Sequence, residues 1–460
     1  NIVLILADDL GWADLPAYGN KFHETPALDR LAREGARFTD FYAAAPVCSP
    51  TRASIFSGQS PARLAMTDFV PGHWRPFEKV IVPEIRNELP LEIATPAEIL
   101  RATGYRTGYF GKWHLGGDKH HPREQGFDEA IVMSGRHFAP RFRTDPARSV
   151  ADGTYLADHL AELATDFIAR HSSEAFFLVV AHFAVHIPLE APEDLVAKYE
   201  RKERPGPGVH HPVYAAMIER IDDSVRRILE TLSREGIDDR TLVVFTSDNG
   251  GLHRIFTGAG ERVSDNAPLR GEKGTLHEGG IRVPFIARYP GTIPAGTIVR
   301  EPAITTDLLP TFADIARVRV PPGQPLDGRS IVSLLRTPNA TLGREALFFH
   351  YPHYHHSRPA SAVRSGRWKL LENLDDGTLE LYDLSSDLGE SRDLAGERSD
   401  VAMRLRALLE AWRKEVGARM PTPNPKHDPA RAGEWWSRSS GEPLDIEALR
   451  RHYDSGRSRS

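Results

Sequence analysis

Runs of apolar residues, each followed by a polar turn, divide the first half of the chain into regular segments. Residues 1–7, 176–182 and 241–246 are apolar almost throughout, which indicates strands buried on both faces. Residues 105–110 have the length and composition of a further strand. Helical patterns lie between the strands, and we predict helices over 26–36, 50–57, 94–103, 155–171 and 214–235. This alternation predicts an α/β fold, in which helices sandwich a large, mostly parallel sheet.

The pattern changes after about residue 335. Residues 346–354, 361–372 and 378–384 alternate between apolar and polar positions, and a helical pattern follows over 398–416. We therefore expect a first domain over 1–335 and a smaller C-terminal α+β subdomain with an antiparallel sheet over 336–425. Residues 426–460 are rich in Pro, Arg, Ser and Trp, and we expect this tail to wrap the surface or to be disordered.

Composition narrows the class of protein. The 460 residues are 40% hydrophobic and 26% charged, which is typical of a globular protein, and a net charge of −5 indicates neither a nucleic-acid nor a membrane-surface partner. No apolar run has the roughly 20 residues that a transmembrane helix needs. The chain opens within an apolar strand. We therefore expect a secretory signal to have preceded residue 1, and the protein to be periplasmic or secreted.

Polar residues follow several of the predicted strands. Asp8 and Asp9 follow the first one, and Lys112 and His114 follow 105–110. His182 is the last residue of 176–182 and His186 comes shortly after it, and Asp248 and Asn249 follow 241–246. Parallel strands end at the same edge of a sheet, and sites of open α/β sheets form at that edge. We therefore expect these side chains to meet.

The residues Asp8, Asp9, Asp248 and Asn249 offer only oxygen atoms as ligands. Such a set suits Ca²⁺, whereas Mg²⁺ fits less well because it prefers to keep several waters. A zinc site would need histidine or thiolate ligands. Each turn by itself could be a solvated turn, but two such turns that each follow a buried strand favour a metal site.

Cys48 is the only cysteine of the chain, so it cannot form an intramolecular disulfide. Pro50 and Arg52 follow it at fixed offsets. A free cysteine is often a small buried hydrophobic residue, and that alternative stays open at this point.

Five motifs along the chain together resemble those of one enzyme family. They are DDLGW at 8–12, CSPTR at 48–52, GYRTGYFGKWH at 104–114, SDNGG at 247–251 and KGTLHEGG at 273–280. Their order and content resemble the type I formylglycine-dependent sulfatases, the arylsulfatase family of the alkaline phosphatase superfamily. The resemblance covers residues 1 to about 290 and is weaker to about 425.

This resemblance implies that the first domain is catalytic and that a maturation enzyme oxidises Cys48 to formylglycine (3-oxoalanine). The hydrated aldehyde would then be the nucleophile, and Arg52 would steady it. It further implies that one Ca²⁺ ion is held by five residues: Asp8, Asp9, Asp248, Asn249 and the modified Cys48.

The resemblance also implies roles around the sulfate group. Lys112, Lys273 and His186 would contact the sulfate, and one of them would protonate the leaving alcohol. His114 would take the proton of the second hydroxyl, so that sulfate leaves and the aldehyde returns. His182 competes with His186 for the acid role, but the surroundings of His186 match the family better. Ser134 is a further candidate sulfate contact.

Two segments rich in His, aromatic residues and Arg are candidates for sugar recognition. Both look exposed, and they contribute His73, Trp74 and Arg75 from 69–75 and His350, His353 and His355 from 350–356. Packing between the subdomains is the alternative explanation. Similar segments occur in bacterial relatives that look like sulfatases of sulfated polysaccharides. We therefore expect a sulfated carbohydrate as substrate, with a simple aryl sulfate as the other possibility.

Three other functions are compatible with parts of the pattern. A phosphonate monoester hydrolase or phosphodiesterase of the same superfamily would use the same nucleophile. A metal phosphatase usually has Ser or Thr as nucleophile and two metal ions, which the context of Cys48 disfavours. A non-catalytic carbohydrate-binding protein would need no nucleophile at all.

Overall fold

The computed structural model describes residues 1–254, 261–337 and 339–454. The largest sheet among them has nine strands. In chain order these are β1 (Ile2–Ala7), β2 (Ala36–Phe38), β3 (Arg106–Gly111), β4 (Glu129–Gly135), β5 (Phe142–Asp145), β6 (Phe176–Ala181), β7 (Leu242–Ser247), β8 (Phe285–Arg288) and β9 (Thr297–Val299). They lie side by side in the order β9-β2-β8-β7-β1-β6-β3-β4-β5. Of these nine strands, β8 and β5 run against the others, which confirms a mostly parallel sheet.

Helices cover both faces of this sheet. The described α-helices are α1 (Pro26–Glu34), α2 (Cys48–Ser57), α3 (Pro61–Leu64), α4 (Pro96–Arg101), α5 (Leu156–Arg170), α6 (Glu193–Arg201), α7 (Pro212–Arg234), α8 (Glu278–Ile281), α9 (Leu308–Ala316), α10 (Val332–Arg336), α11 (Ser399–Glu415) and α12 (Ile446–Asp454). Short 3₁₀ helices occupy Trp12–Asp14, Pro16–Tyr18, Asp118–His120, Pro122–Gln125, Asp238–Arg240 and Thr305–Asp307. The five helices predicted in the first half of the chain are all present, with ends displaced by a few residues.

Strand β1 explains why the sheet is covered on both sides. Ile2, Leu4 and Leu6 point into one hydrophobic core together with residues of α2, α4 and α9. Val3 and Ile5 point into a second core, together with residues of α1, α5 and α7. Successive side chains of a strand lie on opposite faces, so an apolar run with no alternation needs a core on each side.

A second sheet lies in the C-terminal part of the chain. Its four antiparallel strands are β10 (Leu347–Tyr351), β11 (Ala360–Ser365), β12 (Trp368–Asn373) and β13 (Leu379–Asp383). One face packs on α11, and the other packs on residues of the first region, among them Tyr42 and Leu276. The predicted small antiparallel sheet is therefore confirmed, and it is packed against the region that carries the candidate chemistry.

The sequence pattern missed some boundaries. Residues 361–372 were expected as one strand, but the chain turns at Gly366, where φ is +56°, and forms two strands. Glycine adopts this left-handed conformation with little cost, so one residue interrupts an otherwise continuous pattern. Five strands of the large sheet, β2, β4, β5, β8 and β9, were not predicted. All of them except β4 have only three or four residues, which are too few to establish a period.

The chain after α11 runs back along the first region. Thr422–Pro423 pairs with Val80–Ile81, and Trp436–Ser437 pairs with His73–Trp74. Within the part of the chain that the structure describes, none of the helices combines the length and the apolar character needed to cross a bilayer.

Candidate active site

The carboxyl edge of the large sheet brings the predicted acidic residues together. β1 and β7 pair in parallel with Ala7 opposite Ser247, so the next residues, Asp8 and Asp248, are neighbours. The amide of Asp9 donates to Asp248 Oδ1 at 3.2 Å, and Asn249 Nδ2 donates to Asp9 Oδ1 at 2.8 Å. The four residues form one cluster because parallel strands end in register.

This cluster has the character of a cation site. The four residues are at most 1% exposed. Asp8 Oδ1 and Asn249 Oδ1 are buried and have no hydrogen-bond partner among the described residues. A buried oxygen without a partner costs free energy unless a cation or a donor satisfies it. One ligand atom from each of Asp8, Asp9, Cys48 and His186 lies within 4.8 Å of the others, so these residues fit a divalent cation.

Cys48 is the first residue of α2 and is 2% exposed. Its Sγ lies 3.4 Å from Lys112 Nζ. Burial raises the pKa of the Cys48 thiol to about 12, although the charge of Lys112 opposes the shift. The unmodified side chain is therefore a neutral thiol rather than a thiolate, and it is a poor nucleophile in that form.

Arg52 lies one turn further along α2 and is completely buried. Its Nε and Nη2 lie 2.9 and 2.8 Å from Asp248 Oδ2, and Nη1 donates to the carbonyl oxygen of Lys112 at 2.6 Å. These contacts hold Asp248 and the backbone of Lys112 in place. The predicted contact of Arg52 with the modified Cys48 stays a prediction.

Two lysines place positive charge over the carboxylates. Lys112 Nζ donates to Asp8, and Lys273 Nζ donates to Asp9 Oδ2 at 2.8 Å. Burial is the largest single influence on Lys273 and opposes its charge, but the neighbouring acidic groups, Asp9 foremost, together outweigh burial and raise the pKa of the ammonium. Burial likewise opposes the charge of Asp9, yet Lys273, His186 and Lys112 together hold the pKa of that carboxyl well below its usual range. Both groups of this pair are therefore ionised.

His114 is held in one tautomer. Its Nε2 lies 2.6 Å from the carbonyl oxygen of Val70, which can only accept a hydrogen bond, so Nε2 carries the proton. Nδ1 is buried and has no hydrogen-bond partner among the described residues. Burial, assisted by the charge of Lys112, lowers the pKa of His114 well below its ordinary value. The ring is therefore neutral, and its Nδ1 can accept a proton.

His186 has the opposite arrangement. Its Nδ1 lies 2.6 Å from the carbonyl oxygen of Ile187 and carries the proton, while Nε2 lies 3.8 Å from Asp9 Oδ2. Burial and the charge of Lys273 lower the pKa of His186 well below its ordinary value. His182 differs, because it is 0% exposed and does not line the pocket described next. This placement supports the preference for His186 over His182 as the group that protonates the leaving alcohol.

These groups open into a pocket of about 490 Å³, a volume within the range of small-molecule sites. Its reactive and charged lining residues are Cys48, Lys112, His114, His186 and Lys273. Its other polar lining residues are His73, Ser134, His355 and His356. Its large apolar lining residues are Phe69, Trp113, Val132, Met133, Phe183, Ile187, Leu252 and Trp435. The pocket thus has a charged end at Cys48 and extensive apolar walls.

Of the predicted substrate contacts, Ser134 for the sulfate and six residues for the sugar, the structure places some at the pocket and others away from it. Ser134, His73 and His355 line the pocket, as a substrate contact requires. Trp74 pairs with Trp436 in a short ladder instead. Arg75 bonds to Glu78 at 3.1 Å and does not line the pocket.

The expectation that residues 350–356 are exposed is wrong for His350 and His353, which are 3% and 0% exposed. The Nδ1 of His350 lies 2.7 Å from Ser361 Oγ, and its Nε2 lies 3.0 Å from the carbonyl oxygen of Arg419. The Nε2 of His353 lies 2.8 Å from Thr67 Oγ1. Both rings are used in packing between segments, and neither lines the pocket.

His355 lines the pocket because of a glycine. Gly274 has φ of +81°, and a Cβ there would come within 2.0 Å of His355 Nδ1. The absent side chain lets His355 lie directly beside Lys273. The Nδ1 of His355 is 2.8 Å from that of His356, a second pocket residue.

Several pocket residues were not identified from the sequence. Phe183, Leu252 and Trp435 come from three segments that were not singled out, whereas Phe69 and His356 belong to the candidate segments 69–75 and 350–356 but were not named as contacts. The pair Trp435-Trp436 in a polar tail was the one visible signal, because an aromatic pair needs a surface to cover. The others look like ordinary core or loop residues.

Comparison with known families gives two overlapping matches. A family model described as Sulfatase matches residues 1–318. A second, described as N-sulphoglucosamine sulphohydrolase, C-terminal, matches residues 271–415. Together they span the nine-stranded sheet, the C-terminal sheet and every residue of the pocket except Trp435.

Individual sulfatases are also similar to the chain over most of its length. Human arylsulfatase A is 33% identical over 453 residues, which cover 86% of this chain and 83% of that protein. The N-acetylgalactosamine-6-sulfatase of Sus scrofa is 34% identical over 355 residues, 72% of this chain and 65% of that protein. Among solved structures, Ps i-CgsB in complex with k-i-k-neocarrahexaose has a TM-score of 0.78 and 26% identity, covering 99% of this chain and 97% of the other.

Proposed function

The chain belongs to the sulfatase family and is a sulfuric ester hydrolase, and we propose that its substrate is a sulfated saccharide attacked by a formylglycine formed from Cys48. The observation that carries the proposal is the position of Cys48. This buried residue lies at the charged end of the pocket, where its Sγ is 3.4 Å from Lys112 Nζ and within 4.8 Å of a carboxylate oxygen of each of Asp8 and Asp9. A metal phosphatase or a binding protein has no use for a cysteine there.

Ca²⁺ is the proposed ion, held by Asp8, Asp9, Asp248, Asn249 and the modified Cys48. Asp8, Asp9, Asp248 and Asn249 offer hard oxygen ligands, and residue 48 adds a further oxygen once it is modified, which supports this choice over zinc. His186, the histidine near Asp8 and Asp9, is assigned to the leaving group instead. The charges around the site support a divalent cation as well, because three buried carboxylates face three buried cations: Asp8, Asp9 and Asp248 against Arg52, Lys112 and Lys273. These six charges cancel, so a divalent cation makes the site positive towards an anionic ester. The ion would supply a positive charge that favours the ionised form of a bound hydroxyl.

A formylglycine at position 48 would supply a hydrated aldehyde, which has two hydroxyl groups and is a stronger nucleophile than the neutral thiol. The proposal requires a maturation enzyme that acts on the chain. Residues 48–52 support it, since they carry the motif on which the family resemblance depends.

The protein's own side chains provide the remaining chemistry. Lys112 and Lys273 bind the sulfate oxygens with fixed positive charges, which stabilise the charge that develops in the transition state. His114 accepts a proton at Nδ1, the nitrogen that the contact with Val70 leaves unprotonated. His186 presents Nε2 towards the pocket and can hold a proton for the leaving alcohol once the bound sulfate favours its charged form.

A saccharide is the proposed leaving group because the walls of the pocket are apolar and aromatic, with a few polar side chains between them. The similarity to Ps i-CgsB, whose structure holds a neocarrahexaose, and to N-acetylgalactosamine-6-sulfatase supports this class.

Export to the periplasm or the medium stays a prediction. So does the division of the chain into 1–335, 336–425 and 426–460.

Release of inorganic sulfate tests the proposal. The enzyme, produced together with a formylglycine-generating enzyme, is assayed on a chromogenic aryl sulfate and on monosulfated galactose, N-acetylgalactosamine, glucosamine and fucose. The matched aryl phosphodiester and aryl phosphonate are assayed in parallel. We expect sulfate esters to give the higher kcat/KM, by about 100-fold or more. A higher kcat/KM on the phosphonate or the phosphodiester would instead identify the alternative activity.

A further inference from the structure

The C-terminal segment supplies part of the wall of the active-site pocket. Trp435 lines the pocket although it lies 387 positions after Cys48 in the sequence. Cys48, Lys112 and Lys273 are at most 8% exposed, whereas Trp435 is partly exposed and Ser134 is exposed. Trp435 therefore lies towards the open end of the pocket, where the leaving group of a sulfate ester bound at Cys48 must extend.

The indole of Trp435 is held by its neighbours. The guanidinium of Arg75 lies over the ring, 4.1 Å from its centroid, and is itself bonded to Glu78 at 3.1 Å. The ring of His73 lies 6.5 Å away at an interplanar angle of 69°. Because Arg75 covers one face, the part of the indole that borders the pocket is the other face or the edge. A cation over the ring also restricts the rotation of the side chain.

The backbone around Trp435 is fixed as well. Trp436 and Ser437 pair with Trp74 and His73 in an antiparallel ladder. The amide of Arg438 donates to the carbonyl oxygen of Gly72 at 3.3 Å, and Leu444 N donates to Trp435 O at 2.8 Å. The ring is therefore in place before a ligand arrives, so its contact with a ligand costs little ordering entropy.

Arg438 connects this segment to the interior of the protein. Its Nη2 lies 3.2 Å from His353 Nδ1 and 3.9 Å from Asp68 Oδ2, and both of these residues are buried. His353 and Asp68 thus hold the C-terminal segment through Arg438. Because His353 is buried and contacts Arg438, it is not available to a ligand.

We propose that Trp435 determines specificity by stacking against the ring of the leaving group, which is a pyranose when the substrate is a sulfated hexose. This inference depends on the proposed function and extends it to one wall of the same pocket. The apolar C–H face of a pyranose matches an indole face in size and polarity. The sulfate itself is bound by Lys112 and Lys273 and makes no use of Trp435. Removal of the indole should therefore weaken binding of the ring and leave binding of sulfate intact.

Three variants test whether Trp435 contributes to binding of the ring and not to binding of the sulfate: Trp435→Ala, Trp435→Phe and Trp436→Ala. Trp436 is the matched control, because it lies in the same segment and packs on Phe77 without lining the pocket. Each variant is assayed on the sulfated monosaccharide that the wild type hydrolyses best. The competitive inhibition constant of inorganic sulfate, which has no ring, and the thermal unfolding midpoint are measured alongside.

We expect Trp435→Ala to raise KM about ten-fold or more, with kcat and the inhibition constant of sulfate within about three-fold of the wild type. Trp435→Phe should recover most of the loss, and Trp436→Ala should leave KM nearly unchanged even if the midpoint falls. Equal increases in KM and in the sulfate inhibition constant would overturn the proposal, as would equal effects of Trp435→Ala and Trp436→Ala. Either result would mean that Trp435 only holds the segment in place.

A result that contradicts the proposed function can be distinguished from one that contradicts the role of Trp435. A wild type that hydrolyses none of the sulfate esters contradicts the activity, not the role of Trp435. Calorimetric binding of the same sulfated monosaccharides to the wild type and to Trp435→Ala then decides that role directly. Equal affinities of the two proteins would reject it.

Discussion

The ammonium group of Lys112 lies 3.4 Å from the sulfur of Cys48 and also donates to the carboxylate of Asp8. One buried cation thus touches both the proposed nucleophile and a proposed metal ligand. In the proposed reaction, a charge in this position stabilises the negative charge that develops beside residue 48. It also keeps the cluster of carboxylates from repelling an anionic ester.

Replacement of Lys112 by Met removes this charge and retains most of the volume of the side chain. We expect kcat/KM on an aryl sulfate to fall by about 100-fold or more, the usual cost of removing one transition-state donor. Lys198→Met is the control, since Lys198 forms a partly exposed ion pair with Glu219 away from the pocket. A Lys112→Met enzyme with more than a tenth of the wild-type kcat/KM would show that the ammonium is not needed for turnover.

Cys48 should be converted to formylglycine in a competent host. The tryptic peptide of residues 38–52 contains Cys48, and conversion should lower its mass by about 18 Da, because a thiol is replaced by an aldehyde oxygen. Cys48→Ala should abolish turnover yet retain the fold, since little side-chain volume is lost. Protein made without a maturation enzyme is the control. Fully active protein with an unmodified thiol would refute the hypothesis.

The metal assignment can be measured apart from activity. Asp248 accepts hydrogen bonds from Arg52 and from the amide of Asp9, and it is a proposed ligand of Ca²⁺. We expect Asp248→Ala to lose both bound calcium and activity, because the remaining ligands are fewer and less charged. Asp222→Asn is the control, since this buried carboxylate accepts bonds from two amides of α1 and lies outside the cluster. Elemental analysis that finds zinc at full occupancy, and no calcium, would contradict the assignment.

His355 and His353 should behave differently although they are two residues apart. His355 lines the pocket, so His355→Ala should lower kcat/KM on a sulfated saccharide about ten-fold and affect a small aryl sulfate little. His353 is buried between Thr67 and Arg438, so His353→Ala should lower the free energy of unfolding by about 1–3 kcal/mol. Denaturant unfolding and the two assays separate the effects. Equal losses on both substrates in His355→Ala would make that residue structural too.

The strand pattern predicted the central part of the fold and the meeting of the acidic residues. Asp8 and Asp248 follow apolar runs that are buried on both faces, and parallel strands in register bring their ends together. The resemblance of the motifs to the sulfatases is confirmed at the level of the family by the matches over most of the chain. The strand pattern and the motifs are local features of the sequence, because they depend on the composition of single strands and on the short turns that follow them.

The walls of the pocket could not be predicted in this way. Nothing in residues 350–356 distinguishes His353, which is buried, from His355, which borders the pocket. The difference depends on the packing of Thr67, Gly274 and Arg438, which come from three distant segments. Long-range contacts of this kind leave no period or spacing in the sequence.

The sequence by itself determined the four central strands of the sheet and the acidic residues that follow two of them, because strand period and turn chemistry are set by neighbouring residues. The tertiary structure alone decided that Trp435 reaches the same pocket as Cys48. That contact depends on a ladder between residues 73–74 and 436–437 and on an arginine over an indole ring, and both form only when the folded chain brings these segments together.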